Sequence, residues 1–219
     1  MQRHFDQELK ELQDKLLLMG GMVENMLLKA VQSLLDRDEQ LAREVIDADN
    51  EPDLLEIEID ELCNRLIVLR QPAASDLRRI TTAMHINREL ERMADQAVNI
   101  AERSIELLSD PPVKPYIDLP KAAQIVQKMI KDSLNAFINR DTKLAREIVS
   151  RDDQVDALRD QVFRELITYM MENPRLIHPS IEIILIFRHL ERLADNATNI
   201  CEEIVYMVEG KIIKHQVGE

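Results

Sequence analysis

The feature that most constrains this chain is that it says the same thing twice. Residues 88–100, RELERMADQAVNI, align with residues 188–200, RHLERLADNATNI, at nine of thirteen positions and an offset of 100 residues. Earlier in each half, RDEQLAREVIDADNEPD (37–53) aligns with RDTKLAREIVSRDDQVD (140–156) at eight of seventeen, offset by 103. Two matched segments in one order at nearly one spacing mark a tandem duplication, and each copy must then build one structural unit. Between them lies SDPPVKPYIDLP (109–120), with Pro111, Pro112, Pro115 and Pro120, half of the eight prolines in the chain. Proline lacks the amide donor and blocks the helix behind it, so this stretch reads as a linker. The reading is a first repeat over 1–110, a linker over 111–120 and a second repeat over 121–219.

Each repeat reads as all-helical. The chain has abundant Leu, Ala, Glu, Lys and Arg, only 4 Gly, and 3% aromatics, a composition that suits helices better than sheets. Apolar periodicity and loop residues place helices over about 5–35, 39–70 and 76–108, then 121–139, 142–172 and 180–209. Asp36 with Glu39 fits a capping box, Gly20-Gly21 marks a weak point in the first helix, and Pro52 is expected to kink the second, although its counterpart Val155 allows an unbroken helix. Pro72 and Pro174 sit in matching loops. Helices of about 30 residues span about 45 Å, and joined by short loops they fold back as antiparallel bundles. The expected architecture is two three-helix bundles in tandem.

Several function classes are excluded. A net charge of −13, a pI near 4.9 and no Trp offer neither the basic patch nor the aromatic platforms that nucleic acids need. No Walker loop, glycine-rich dinucleotide turn or nucleophile elbow is present, and no serine has a convincing His and Asp setting, so the chain does not read as an enzyme. Cys63 and Cys201 stand alone in apolar stretches and read as buried thiols of a reducing compartment. No signal peptide is visible. The most apolar run, Ile181 to Phe187, is interrupted by Glu182 and far shorter than the roughly 20 residues of a membrane span. A cytoplasmic protein is expected.

The chemistry-bearing pattern is acidic. At about 100° per residue, Leu90, Ala94, Ala97 and Ala101 share a core face, flanked by Ile86, Met93 and Ile105, while Glu91, Asp95 and Asn99 stand at i, i+4 and i+8 with Glu102 beside them, outside that face. The second copy repeats this with Leu190, Ala194, Ala197 and Cys201 inside and Glu191, Asp195, Asn199 and Glu202 outside. A carboxylate pair at the same spacing lies on each preceding helix: Asp49 with Asp53, and Asp152 with Asp156. Like charges at i, i+4 destabilise a helix by a few tenths of a kcal/mol, so an offsetting partner is expected. Arg88 and Arg92, with Arg188 and Arg192, could supply it as a solvated ion-pair face. A metal held by carboxylates from two helices is the other candidate, and the duplicated DxxxD and ExxxD sets favour it. The Glu-x-x-His signature of dimetal four-helix bundles is absent, as the residues before His85, His178, His189 and His215 show. His85 and His189 read as ordinary, partly buried histidines.

With the two phrases RELERMADQAVNIAER and RHLERLADNATNICEE, and the carboxylate pairs upstream of each, the whole chain resembles the PhoU family; the ER-x-AD-x-A-x-NI phrase in both halves carries the resemblance. The resemblance implies a cytoplasmic negative regulator of the phosphate-starvation response, coupling the high-affinity phosphate ABC transporter, through its ATPase subunit, to a sensor histidine kinase. It implies a homodimer, membrane association only through partners, and metal ions (Fe, Zn, Mn or Mg, including multinuclear clusters) at Asp49, Asp53, Glu91 and Asp95 and at Asp152, Asp156, Glu191 and Asp195. Pro52 inside DNEPD is a departure that could shift Asp49 relative to Asp53. The alternative is a helical scaffold or chaperone-like protein with acidic ion-pair faces and no metal. Direct phosphate binding is not expected, because an acidic stripe repels phosphate.

Overall fold

The computed structural model describes residues 2–211; His215 and the end of the second repeat lie outside them. Eight α-helices follow one another: α1 (Gln2–Asp36), α2 (Glu39–Asp47), α3 (Asn50–Arg70), α4 (Ala74–Glu106), α5 (Asp118–Asn139), α6 (Thr142–Val149), α7 (Asp152–Glu172) and α8 (Ile177–Glu209). Short 3-10 turns cover Leu107–Ser109 and Pro174–Leu176. The chain is all-α, and its helices form two three-helix units in which α2 with α3, and α6 with α7, are each one long helix broken near its start. α4 and α8 lie against each other at the centre, and α1 also packs on α5.

The matched RDxxLARE segments are corners. Arg37 and Arg140 adopt left-handed backbone (φ 54° and 53°). The amides of Asp38 and Asp141 then reach back to the carbonyls of Ser33 (2.8 Å) and Ala136 (2.9 Å), closing the Schellman turn that ends each preceding helix. The same aspartates cap the next helix. Asp38 accepts from the Leu41 amide, and Asp141 from the amides of Lys143 and Leu144. The cap is therefore Asp38, not Asp36, and an Arg-Asp dipeptide turns the chain without glycine.

The break in the second helix of each unit is not a proline effect. It falls at Ala48–Asp49 and at Ser150–Arg151, although the second copy has Val155 where the first has Pro52. Pro52 stands third in α3, where the amide has no intrahelical partner to lose, and both Pro52 and Val155 are buried. At each break the ladder shortens to i→i−3: Asp49 N–H to Ile46 O (3.3 Å) and Arg151 N–H to Ile148 O (2.9 Å). Gly20 lies within α1 where a Cβ would collide with the Leu134 side chain on α5, so this glycine lets two helices of different units approach.

The proline-rich link is held, not loose. Arg37 donates to the carbonyls of Leu108 (2.6 Å) and Asp110 (3.0 Å). Val113 joins the core, and half-buried Lys114 pairs with Asp118 (3.1 Å) and Glu165. α5 starts at Asp118, so Pro120 lies in its first turn, where proline costs no hydrogen bond. Both cysteines are buried and free, and burial pushes the Cys63 thiol up to about 12 and that of Cys201 up as well. Among the described residues, no helix is long and apolar enough to cross a membrane.

Candidate functional site

The two acidic phrases take the same place in each unit. From 86 to 100 and from 186 to 200, buried, half-buried and exposed positions alternate identically. Leu90, Ala94, Ala97 and Ala101 face the core, as do Leu190, Ala194, Ala197 and Cys201. Glu91 and Asp95 on α4 then lie across from Asp49 and Asp53 at the start of α3, and Glu191 and Asp195 on α8 lie across from Asp152 and Asp156 at the start of α7. The helix breaks place these carboxylates: Asp49 and Asp152 stand at the turn itself, each with one buried oxygen (Oδ1) that has no hydrogen-bond partner.

A buried carboxylate oxygen without a donor favours the protonated form. Burial raises Asp49, reinforced by Asp53, Asp95 and Glu102. Glu91 is raised by burial and by Asp95 and Glu56, and Asp95 by burial and Asp53. In the second unit burial, with Asp195 and Asp156, lifts Asp152 from 3.8 to about 6. Asp156 and Asp195 rise for the same reason, burial, but there Arg159 pulls the other way.

Arg159 is the residue that pattern reading missed. It projects from α7 into the second face and binds Glu191, Asp156 (3.1 Å) and Asp160 (2.9 Å). The expected neutralisers act mostly at a distance: of Arg88, Arg92, Arg188 and Arg192, only Arg92 forms an ion pair among the described residues, with Glu89 at 3.3 Å, while Arg92 pulls on Glu91 and Arg192 on Asp195 through space. The signal was available at the repeat offset, since Arg159 stands opposite Glu56.

The metal expectation is corrected here. Among the described residues no group of three or more His, Cys, Asp or Glu side chains is gathered closely enough to hold a metal ion. The expected Fe, Zn, Mn or Mg ligands are spread along two helices. Asp49, Asp53, Glu91 and Asp95 act on one another as repelling charges, and around Asp152, Asp156, Glu191 and Asp195 a guanidinium takes the place a cation would need. The faces can hold protons and offer carboxylates to a basic partner.

His189 is half-buried on the α4–α8 seam, with Nδ1 2.8 Å from Gln96 Oε1, and burial depresses it to about 4. Along the same seam Asn199 donates to Glu89 (3.3 Å) and Arg103 to buried Glu182 (3.2 Å). His85 is exposed.

Comparison with known proteins gives a family. The PhoU domain model matches residues 16–104 and again 119–204. A PhoU homolog of the phosphate-specific transport system from Aquifex aeolicus is 43% identical over 209 residues, 95% of each chain. The chain belongs to the PhoU family. The Escherichia coli PhoU accessory protein is 35% identical over 98% of this chain and 89% of its own. The crystal structure of PhoU from Pseudomonas aeruginosa superposes with a TM-score of 0.90 at 40% identity, covering 94% of this chain and all of that one. PhoU from Streptococcus pneumoniae gives 0.87 at 30% identity, over 96% and 99%. PhoU membership makes the chain a regulatory protein of phosphate homeostasis and not an enzyme.

Proposed function

We propose that this PhoU-family protein is a negative regulator of the phosphate-starvation response, acting from the cytoplasm as a helical scaffold between the ATPase subunit of a phosphate ABC transporter and a sensor histidine kinase. The observation that carries the reading is the match over nearly the whole chain to relatives named as accessory proteins of the phosphate-specific transport system. The faces support a scaffold that works through ion pairs rather than a bound cation. Arg159 already bridges three carboxylates of the second face, while Asp49, Asp53, Glu91 and Asp95 of the first have no such bridge among the described residues. A homodimer, checked by light scattering, is part of the same reading.

A strain lacking the gene is expected to express phosphate-starvation genes in rich phosphate, and the wild-type gene in trans to silence them. Normal repression in the deletion strain would overturn the reading.

A further inference from the structure

The second unit carries a groove with an apolar lining. It lies between α7 and α8, encloses about 380 Å³, and is lined by Val162, Phe163, Ile184 and Phe187, with Arg159 and Arg188 at its charged end. Phe163 is 47% exposed. The apolar strip continues towards the α7–α8 turn through Ile167 and Met171 on one helix and Ile177 and Ile181 on the other, all exposed.

The duplication supplies a control at four positions. At these the first unit has Asp60 for Phe163, Asn64 for Ile167, Thr81 for Ile181 and Asn87 for Phe187, while Met171 and Ile177 correspond to Val68 and Leu77, which are exposed and apolar as well. There Asn87 donates to Asp60 Oδ1 (3.1 Å) and to the Glu56 carbonyl (2.9 Å), tying α3 to α4. The fold therefore does not require apolar side chains at those four positions, and folding alone does not explain Phe163, Ile167 and Ile181 on the surface of the second unit.

The charges at the groove identify what fits. Asp160 and Glu191 are engaged by Arg159, whereas Arg188 has no ion-pair partner among the described residues. A second copy bound across a two-fold axis would present the same patch, whose lining carboxylates are already taken. From Ile177 to Arg188 the strip runs about 17 Å, or three helical turns, the reach of apolar anchors at i, i+4, i+7 and i+11. We infer that the α7–α8 groove receives an amphipathic helix of another protein, its apolar stripe against Phe163 and Ile167 and a carboxylate of its own on Arg188. This rests on the scaffold reading above and adds the surface through which it works.

The test uses the full chain. A labelled synthetic helix with leucines at i, i+4, i+7 and i+11 and two glutamates at one end is titrated against the protein, beside a twin carrying lysines for the glutamates. The acidic helix is expected to bind about tenfold more tightly than its twin, and Arg188→Gln to remove about fivefold of that preference. Phe163→Asp with Ile167→Asn, which installs the residues the first unit carries, is expected to abolish binding while leaving thermal unfolding within a few degrees of wild type. Equal binding of the twins, or binding that survives the double substitution, overturns the inference. So does a dimer in light scattering that the double substitution dissolves, since a second copy would then own the groove. In the deletion strain the double variant is expected to leave starvation genes on. If it represses like wild type while the empty strain does not, the groove assignment fails and the regulatory reading stands.

Discussion

The two acidic faces share backbone, burial pattern and four matched carboxylates, yet they solve the same electrostatic problem in opposite ways. In the first, Glu56 adds another negative charge, and burial with Asp60 and Asp53 raises it against the pull of Arg88. In the second the equivalent position is Arg159, which binds three carboxylates on two helices. Each face carries enough like charge to be costly, and Arg159 relieves it in the second copy only. The stability of the second face thus depends on a guanidinium, while the first keeps its charge for solvent or for a partner. Packing shows the same division: Asn87 and Asp60 hydrogen-bond where Phe187 and Phe163 leave a groove.

The harshest way to break this comparison is to give the second unit the first unit's charge. Arg159→Glu removes three ion pairs and places a further carboxylate beside Asp156 and Glu191. The expected loss is about 2–3 kcal/mol, a fall in Tm of about 5–10 °C for a chain of this size, read by circular dichroism at neutral pH. An unchanged Tm would mean that the bridge contributes nothing. Next comes pH. A carboxyl that holds its proton more tightly folded than unfolded gives the native state more bound protons, so stability falls as pH rises between 3.8 and about 6, the span of the Asp152 shift. Asp152→Asn is expected to raise Tm at pH 7 by about 2–4 °C and to flatten the slope across that window. A slope that the substitution leaves intact would assign the titration to other groups.

The duplication, the six long helical stretches and the inward faces of α4 and α8 were legible because they rest on periodicity, which each residue reports locally. Leu90, Ala94 and Ala97 are buried for the reason their spacing gives. The corners were half legible: the matched Arg-Asp dipeptides were visible, but a left-handed arginine gives no local signal of the kind glycine would. Pro52 points to a kink in the first copy only, whereas both copies break; the break at Ser150–Arg151 follows from how α6 and α7 seat Ile148 and Val155 in the core, a tertiary effect. The acidic residues were found, but their partner was not. Spacing along one helix pointed to Arg88, Arg92, Arg188 and Arg192, whereas the neutralising arginine comes from the neighbouring helix. A metal was the natural expectation while Arg159 was out of view.

The converse substitution sharpens the comparison from the other side. Glu56→Arg gives the first unit the guanidinium of the second, beside Asp53, Asp60 and Glu91. Side-chain entropy and solvent screening cut the gain from part-exposed pairs, so about 1 kcal/mol is expected, a rise in Tm of about 2–4 °C. The gain should shrink in high salt, because screening weakens exposed charges first. A loss of stability would mean that the first face has no room for what the second accommodates.

The smallest effect should come from Asp95→Ala and Asp195→Ala, and its asymmetry is informative. Around Asp95, burial and the Asp53 carboxylate both disfavour the charged form, so removing it relieves repulsion and raises Tm slightly. Asp195 is raised by burial, Glu191 and Asp156, but Arg159 and Arg192 offset part of that, so its removal should be close to neutral. Neither face gathers enough ligands for an ion. The double variant is therefore expected to repress phosphate-starvation genes like wild type, and elemental analysis to find equal, near-zero metal in both proteins. Loss of repression together with loss of a stoichiometric metal would reverse the account of both faces. Loss of repression without it would mean that a partner's basic residues read Asp95 or Asp195 directly, and single substitutions, scored in the same reporter strain, would then say which of the two faces the partner uses.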